Sequence, residues 1–388
     1  MYGLNKNYVF LLLASVFSCL VWACGPSFPN SYLAGSDDQM LQAPILSFYD
    51  EINRIDVEID EPSVVCSPET ISTNRNQIIQ IDIDEMKQSL ETTVYDSNQI
   101  EQTVTKYGVL RRNIENYNND RENYYSNHAK GDGALTEPKL SFSPEAIPEL
   151  VPEEFALYLE GTFYYRTGDY DKAVETWQKI LELPAEQRHY RSTWAAYMIG
   201  KCSRSTDKDK TRQMYRQVRQ YVRDGFADSL DLAAASYGDE ASTWLAQDQY
   251  DKAIQLYLVQ TLTNNQTAIP SLQWVCGGVF NTSGSPDMVD LLDNRMIRQV
   301  LMAYALTYGA TKERHHIFIT KEDGTREFIT PQQRLLDAIE QAQLDSVEDA
   351  DQLAAIAYRD GDFERAKRWL TVADMDSLIS RRIRAKLY

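Results

Sequence analysis

Acidic side chains are the groups in this sequence most suited to catalysis, and they occur in two clusters. Asp82, Asp84 and Glu85 form the first cluster, and residues 345–351 contain the second. A glycoside hydrolase needs two carboxylates at a set separation in a cleft. The formal net charge of the chain is −18, however, and the carboxylates of an acidic chain are mostly solvated. We therefore predict that both clusters lie on exposed faces.

Histidine, cysteine and glycine residues form no familiar catalytic or metal-binding motif. His315 and His316 are adjacent, and adjacent strand residues point to opposite faces, so their rings are badly placed to bind one ion. The sequence contains no Cys-x-x-Cys, His-Glu-x-x-His, P-loop or Gly-x-Ser-x-Gly motif. The glycine-rich segment 276–286 is predicted to be a flexible loop between helices. We predict no metal, no cofactor and no catalytic residue; an enzyme of unrecognised type is the alternative.

The first residues are typical of an exported protein. Lys6 precedes an apolar run at residues 8–23, which is short for a membrane span and is predicted to be a signal peptide, 1–23. Residues 20–24 resemble a bacterial lipobox, which implies acylation of Cys24 and a membrane anchor in the cell envelope, although Trp22 is bulkier than that motif favours. Plain secretion without lipid and an uncleaved anchor are the alternatives. The acidic net charge argues against a nucleic-acid partner.

The cysteine count depends on this processing. Cys19 would leave with the signal peptide, and an acylated Cys24 would leave Cys66, Cys202 and Cys276, of which at least one must stay unpaired. Without acylation, four cysteines could pair in three ways.

Residues 155–184 have the pattern of a helical hairpin. Apolar and aromatic residues recur at steps of three and four, stop at Thr167-Gly168-Asp169, and then resume. This segment resembles a tetratricopeptide repeat, apart from Glu160, where that family usually has Leu. The residues that carry the resemblance are Gly161, Tyr164, the turn Gly168-Asp169-Tyr170, Ala173, Trp177 and Pro184.

Further hairpins follow the first one. Residues 241–257 match it at an offset of 80, and residues 354–370 match it at an offset of 193. Less regular candidates lie at 193–225 and 296–308. We predict an all-α, tetratricopeptide-like helical-hairpin solenoid at 145–388, because hairpins of this kind bury their apolar faces by stacking.

Two segments depart from the repeat pattern. Asp323-Gly324 lies between two β-prone runs and predicts a small β-hairpin insertion, after which Pro331 begins a helix. Residues 24–144 are predicted to be a partly irregular N-terminal extension with helices. Within it, residues 77–84 alternate like a strand or lead into a helix near Asp84, and residues 99–125 are predicted to be helical.

The resemblance implies a concave groove lined by the first helix of each hairpin. Residues expected to face the groove and bind a partner are Tyr158, Thr162, Tyr165, Arg166, Tyr358 and Arg359. Arginine and tyrosine could bind the acidic or C-terminal groups of a peptide. We predict a non-catalytic scaffold or adaptor for protein or peptide partners. A surface lipoprotein that binds carbohydrate or another nutrient is the runner-up.

Overall fold

The computed structural model describes residues 47–57, 75–128, 136–263, 265, 267–281, 288–307, 317–320, 325–344 and 347–388. The predicted signal peptide 1–23 lies outside these residues, as do Cys24, Cys66, His315 and His316. Within the described residues, no helix has both the length and the apolar character needed to cross a membrane.

The chain divides into two compact units. One comprises Ile55–Arg298, and the other comprises Gln299–Tyr388 together with the chain up to Arg54. The predicted boundary between residues 144 and 145 remains a prediction, and residues 75–128 before it belong to the same unit as residues 153–182 after it.

Helices account for nearly all regular structure in the described residues, and the all-α, tetratricopeptide-like prediction is confirmed. In chain order up to residue 292 they are α1 (Phe48–Ile52), α2 (Arg75–Glu91), α3 (Ser97–His128), α4 (Glu153–Thr167), α5 (Tyr170–Glu182), α6 (Ser192–Ser203), α7 (Lys208–Arg223), α8 (Leu232–Leu245), α9 (Tyr250–Leu262), α10 (Ala268–Asn281) and α11 (Met288–Leu292). They are followed by α12 (Arg295–Thr307), β1 (Ile317–Thr320), β2 (Arg326–Ile329), α13 (Pro331–Gln341), α14 (Ala350–Asp360), α15 (Phe363–Val372) and α16 (Leu378–Leu387).

Three hairpins stack in the larger unit. They are α4–α5, α6–α7 and α8–α9, and the second helix of each packs against the first helix of the next element. In the smaller unit, α14 and α15 form a hairpin of the same kind, and α16 packs against α14. The candidate hairpin at 193–225 is thereby confirmed as α6–α7.

The α2 helix corrects one prediction, because residues 77–84 are helical and not a strand. Ile79 and Ile83 pack into a core with Tyr107. Ile78 and Ile81 pack on another core, which belongs to the first hairpins. Burial on two sides of one helix places isoleucines at nearly alternate positions, which imitates the period of a strand. The helix predicted at 99–125 is confirmed by α3.

The glycine-rich loop prediction is wrong for residues 276–281, which form the end of α10. Val275, Cys276 and Val279 are buried at helical spacing, and Gly278 lies on the more open side of the helix. Apolar periodicity therefore outweighs the low helix propensity of glycine here. Residues 282–287 lie outside the described part.

The predicted β-hairpin insertion is confirmed by the antiparallel strands β1 and β2, in which Ile317 pairs with Ile329. Asp323-Gly324, the predicted turn, lies outside the described residues. Pro331 begins α13 as predicted, and the Thr330 side chain caps this helix by accepting a hydrogen bond of 3.0 Å from the backbone N–H of Gln333.

Candidate functional site

The first hairpin is held by a close contact between its two helices. Gly161 of α4 lies directly against Trp177 of α5, and a Cβ added to Gly161 would come within 2.6 Å of the indole Cδ1 atom. The indole Nε1 donates a hydrogen bond of 3.2 Å to the carbonyl oxygen of Tyr158. Gly168 ends α4 with a φ of 88°, a left-handed conformation that suits glycine. The residues of the predicted repeat thus have the contacts expected of them.

The same small-to-large contact recurs along the chain. Gly200 of α6 approaches the ring of Tyr215, with an ideal Cβ 3.1 Å from the ring carbon Cε1. In α8–α9, Ala241 and Tyr257 are the equivalent buried pair, and in α14–α15 the pair is Ala354 and Leu370. Gly361 ends α14 with a φ of 91°, like Gly168 in the first hairpin.

We define the inner face of the larger unit as the positions of Tyr158, Thr162, Tyr165 and Arg166 in α4 with the equivalent positions of α6, and the inner face of the smaller unit as the equivalent positions of α14. Tyr158 and Thr162 are buried. Tyr158 packs between Trp177 and Trp194, with ring centroids 6.0 and 5.4 Å away. The Thr162 hydroxyl donates to the carbonyl oxygen of Tyr158 at 2.8 Å.

Tyr165 and Arg166 are half-buried and lie nearer the surface. The Tyr165 ring packs against Tyr170, with centroids 5.4 Å apart. The Arg166 Nη1 atom donates a hydrogen bond of 2.9 Å to Asn118 of α3, and the Arg166 carbonyl oxygen accepts one of 3.1 Å from Arg121. The first predicted Tyr-Arg pair is therefore engaged within the chain.

The α3 helix lies along this face of α4. Besides Asn118 and Arg121, Tyr107 packs edge-on against Phe155 with centroids 6.4 Å apart. At the first hairpin, the position expected for a bound partner is thus held by the chain's own helix.

A buried ionic network holds α2 and α3 in place. Arg191, which precedes α6, donates to Asp82 at 2.5 Å and to Glu85 at 2.6 Å. Asp82 also accepts from Arg111 at 2.7 Å and from the Tyr107 hydroxyl at 2.9 Å. Both Asp82 and Arg191 are completely buried.

This network corrects the prediction of exposed carboxylates at Asp82 and Glu85. Burial alone would raise the pKa of Asp82, but the adjacent guanidinium groups of Arg191 and Arg111 lower it below its usual value. The carboxylate stays ionised and acts as a structural anchor. The partners are 29 and 109 residues away along the chain, and no sequence motif links them.

Glu154, at the start of α4, is a second buried carboxyl group close to Arg191. Its Oε2 atom accepts backbone hydrogen bonds from Tyr190 at 2.9 Å and from Arg191 at 2.8 Å. Burial raises the pKa of Glu154 to about 7, and the opposing effects of Arg191 and the two N–H groups are smaller.

The inner face of α6 carries residues that the sequence analysis did not select as partner-binding. An offset of 39 places Tyr197, Lys201 and Arg204 at the positions of Tyr158, Thr162 and Tyr165. All three are half-buried. The Tyr197 hydroxyl donates to the carboxylate of Asp239 in α8. Aligning Gly200 with Gly161 would have identified these positions.

The second predicted Tyr-Arg pair, Tyr358 and Arg359 in α14, has different surroundings. Tyr358 packs against Phe363 with centroids 5.5 Å apart, and the Lys386 ammonium lies 5.4 Å from the Tyr358 ring centroid. The Nη1 atom of Arg359 is buried and has no hydrogen-bond partner among the described residues. Burial lowers the pKa of Arg359, and no carboxylate counters that effect.

Comparison with known families gives one match. A tetratricopeptide-repeat model matches residues 155–183, which are α4 and α5 with their turn. The chain contains a tetratricopeptide repeat. No curated protein matches the sequence significantly. In the described residues, no group of three or more His, Cys, Asp or Glu side chains is arranged to hold a metal ion.

Proposed function

We propose that this protein is an exported, non-catalytic scaffold that binds protein or peptide partners through the inner face of its helical repeats. Tetratricopeptide hairpins generally serve as protein-interaction surfaces, which supports the general role. Export and acylation of Cys24 are part of the proposal and rest on the composition of residues 1–24.

The observation that carries this proposal is a difference between the two Tyr-Arg pairs in the hydrogen bonds that their arginine side chains make. The Nη1 atom of Arg166 donates to Asn118 within the chain, although the Nε atom of Arg166 is buried without a partner among the described residues. Arg359 has a buried guanidinium nitrogen with no partner among the described residues, in a protein whose net charge is −18. The Arg359 residue as a whole is half-buried, and a guanidinium without a neighbouring carboxylate among the described residues is suited to the carboxylate of a partner.

Co-purification from the source cells tests this proposal. The tagged protein, its Arg359→Gln variant and its Arg166→Gln variant are compared, and recovered proteins are quantified by mass spectrometry. We expect Arg359→Gln to reduce recovery of direct partners by about tenfold or more, since a hydrogen bond to a charged group contributes about 1.5–3 kcal/mol. Arg166→Gln should have a smaller effect, because Arg166 already has a partner in α3.

The melting temperature is the control for folding. Arg359 makes no hydrogen bond or ion pair to a described residue that its replacement would break. Arg359→Gln should therefore melt at the same temperature as the unmodified chain. Equal recovery of partners by all three proteins would rule out the inner face as the binding surface.

A further inference from the structure

A second surface, on the opposite helix of the second hairpin, has features that the inner face does not have. It is a groove of about 480 Å³ that runs along α7 from Asp209 to Arg223, with Trp244 of α8 as one wall. We call it the α7 groove. We propose that the α7 groove binds an acidic, extended peptide segment of a partner protein.

The lining of the α7 groove is positively charged. Three arginines, Arg212, Arg216 and Arg223, line it together with one exposed carboxylate, that of Asp209, which forms an ion pair with the buried Arg212. The formal charge of the lining is therefore positive, although the whole chain carries −18. A local reversal of charge of this kind selects an anionic partner and steers its approach.

Arg212 and Arg216 are held in place by the packing around them. Arg212 lies over the Trp244 ring at 3.9 Å and donates to Gln247 at 2.7 Å. Arg216 binds the buried carboxylate of Glu240 at 2.7 Å, and that carboxylate also binds Arg219 at 2.6 Å. The Glu240 carboxylate thus forms ion pairs with two guanidinium groups, and the Arg216 side chain remains 53% exposed.

Two glutamines supply uncharged hydrogen-bonding groups to the groove. Gln213 and Gln217 lie one turn apart on α7, and Gln213 is exposed while Gln217 is half-buried. Their amides can both donate and accept, which matches the N–H and C=O groups of an extended peptide backbone.

The composition of the lining favours a peptide over other anionic partners. Trp244 already has Arg212 and Lys252 over its ring, at 3.9 and 4.3 Å, so the ring is not open to stacking by a nucleic-acid base. The lining contains no aliphatic side chain that could enter a lipid bilayer.

The spacing along α7 fits an extended chain. Arg216 and Arg223 are seven residues apart, which is about 10 Å along a helix axis. Alternate side chains of an extended peptide lie on one face about 7 Å apart. Two carboxylates at alternate positions can therefore reach the two guanidinium groups, because the long side chain of Arg223 can make up the difference between these two spacings.

Fluorescence anisotropy with the full chain tests this proposal. The probe is a fluorescein-labelled peptide with three Glu-Ala repeats, and a peptide with three Gln-Ala repeats is the neutral comparison. We expect the chain to bind the acidic probe, with an affinity that falls as salt is raised. The Arg216→Gln/Arg223→Gln variant should bind the probe at least about tenfold more weakly, since it loses two charge-assisted contacts.

A matched control removes two exposed arginines elsewhere. Arg368 and Arg381 are 67% and 62% exposed and lie in the smaller unit. The Arg368→Gln/Arg381→Gln variant therefore removes two positive charges, as the groove variant does, and leaves the α7 groove intact. This control should bind the acidic probe like the unmodified chain. Equal binding by both double variants would overturn the proposal. Vesicles containing phosphatidylserine are a third probe. The proposal would also be overturned if the unmodified chain did not bind the acidic peptide, or if it bound only the vesicles. Neither result bears on Arg359, which is in another part of the fold.

Discussion

Single residues explain why the first hairpin closes as it does. Gly161 has no side chain, and the Trp177 ring fills the space where a Cβ would stand. We expect Gly161→Ala to lower the free energy of unfolding by about 1–3 kcal/mol, because overpacking a tight core forces side chains and backbone to shift. Urea denaturation followed by circular dichroism measures this change.

Gly278 provides the matched control, since it also lies within a helix but has, apart from its own helix backbone and chain neighbours, no atom of a described residue within 4 Å of its ideal Cβ position. Alanine has the higher helix propensity, so Gly278→Ala should stabilise the protein by about 0.5–1 kcal/mol. Similar effects from the two substitutions would mean that the Gly161–Trp177 contact does not limit packing.

Sequence reasoning succeeded for residues whose roles depend on near neighbours. Gly161, Ala173 and Trp177 are within 16 residues of one another, and their spacing predicted the contact between them. It failed for Asp82 and Glu85, because the guanidinium that neutralises them is on Arg191, more than a hundred residues away. The sequence of an acidic cluster is the same whether its carboxylates are solvated or are neutralised by a distant arginine.

At the scale of elements, the α2–α3 pair was the part least accessible from sequence. The periodicity of apolar residues predicted the helical character and approximate length of α3. The α2 helix buries residues on two sides, and its sequence therefore resembled a strand. Nothing in the sequence indicated that α3 lies along the inner face of α4. That placement depends on ion pairs that join α2, α3 and the segment before α6, which contains Arg191.

The junction between these elements predicts a pH dependence. Glu154 has an ordinary pKa of 4.5 when unfolded and of about 7 when folded. Between these values the folded chain binds a proton that the unfolded chain does not. The stability contributed by this group is therefore complete below pH 4.5 and is lost as the pH rises through about 7.

Replacement of Glu154 by Gln checks this dependence, since Gln keeps an acceptor for the backbone N–H groups and does not titrate. On going from pH 7.5 to 5.5, the unmodified chain should gain roughly 1–2 kcal/mol more in free energy of unfolding than Glu154→Gln. Urea denaturation at both pH values measures the gain. An identical gain in the two proteins would show that Glu154 is already ionised at pH 5.5.

At the scale of the whole molecule, the proposed export can be tested directly. When the chain is expressed in a bacterium, we expect a mature protein that begins at Cys24, carries the mass of a lipid modification and fractionates with membranes. Acylation through the Cys24 thiol is the physical cause, because alkyl chains partition into the bilayer. Intact mass spectrometry with fractionation measures both properties.

Cys24→Ala is the control, and it should leave the chain unlipidated and soluble after fractionation. A cleaved but unlipidated chain from the unmodified sequence would instead indicate plain secretion. In that case the thiol of Cys24 would be available for pairing with other cysteines.

The bond between Arg191 and Asp82 also sets an order of events during synthesis. These residues are 109 positions apart, whereas the contacts within each hairpin are local. At about 5–20 residues per second, Asp82 leaves the ribosome roughly 5–20 s before Arg191 follows it. During that interval Asp82 has Arg111 but not Arg191 as an ion-pair partner, and Glu85 lacks Arg191. The α2–α3 pair can therefore acquire its complete set of buried ion pairs only after the chain through Arg191 has been synthesised.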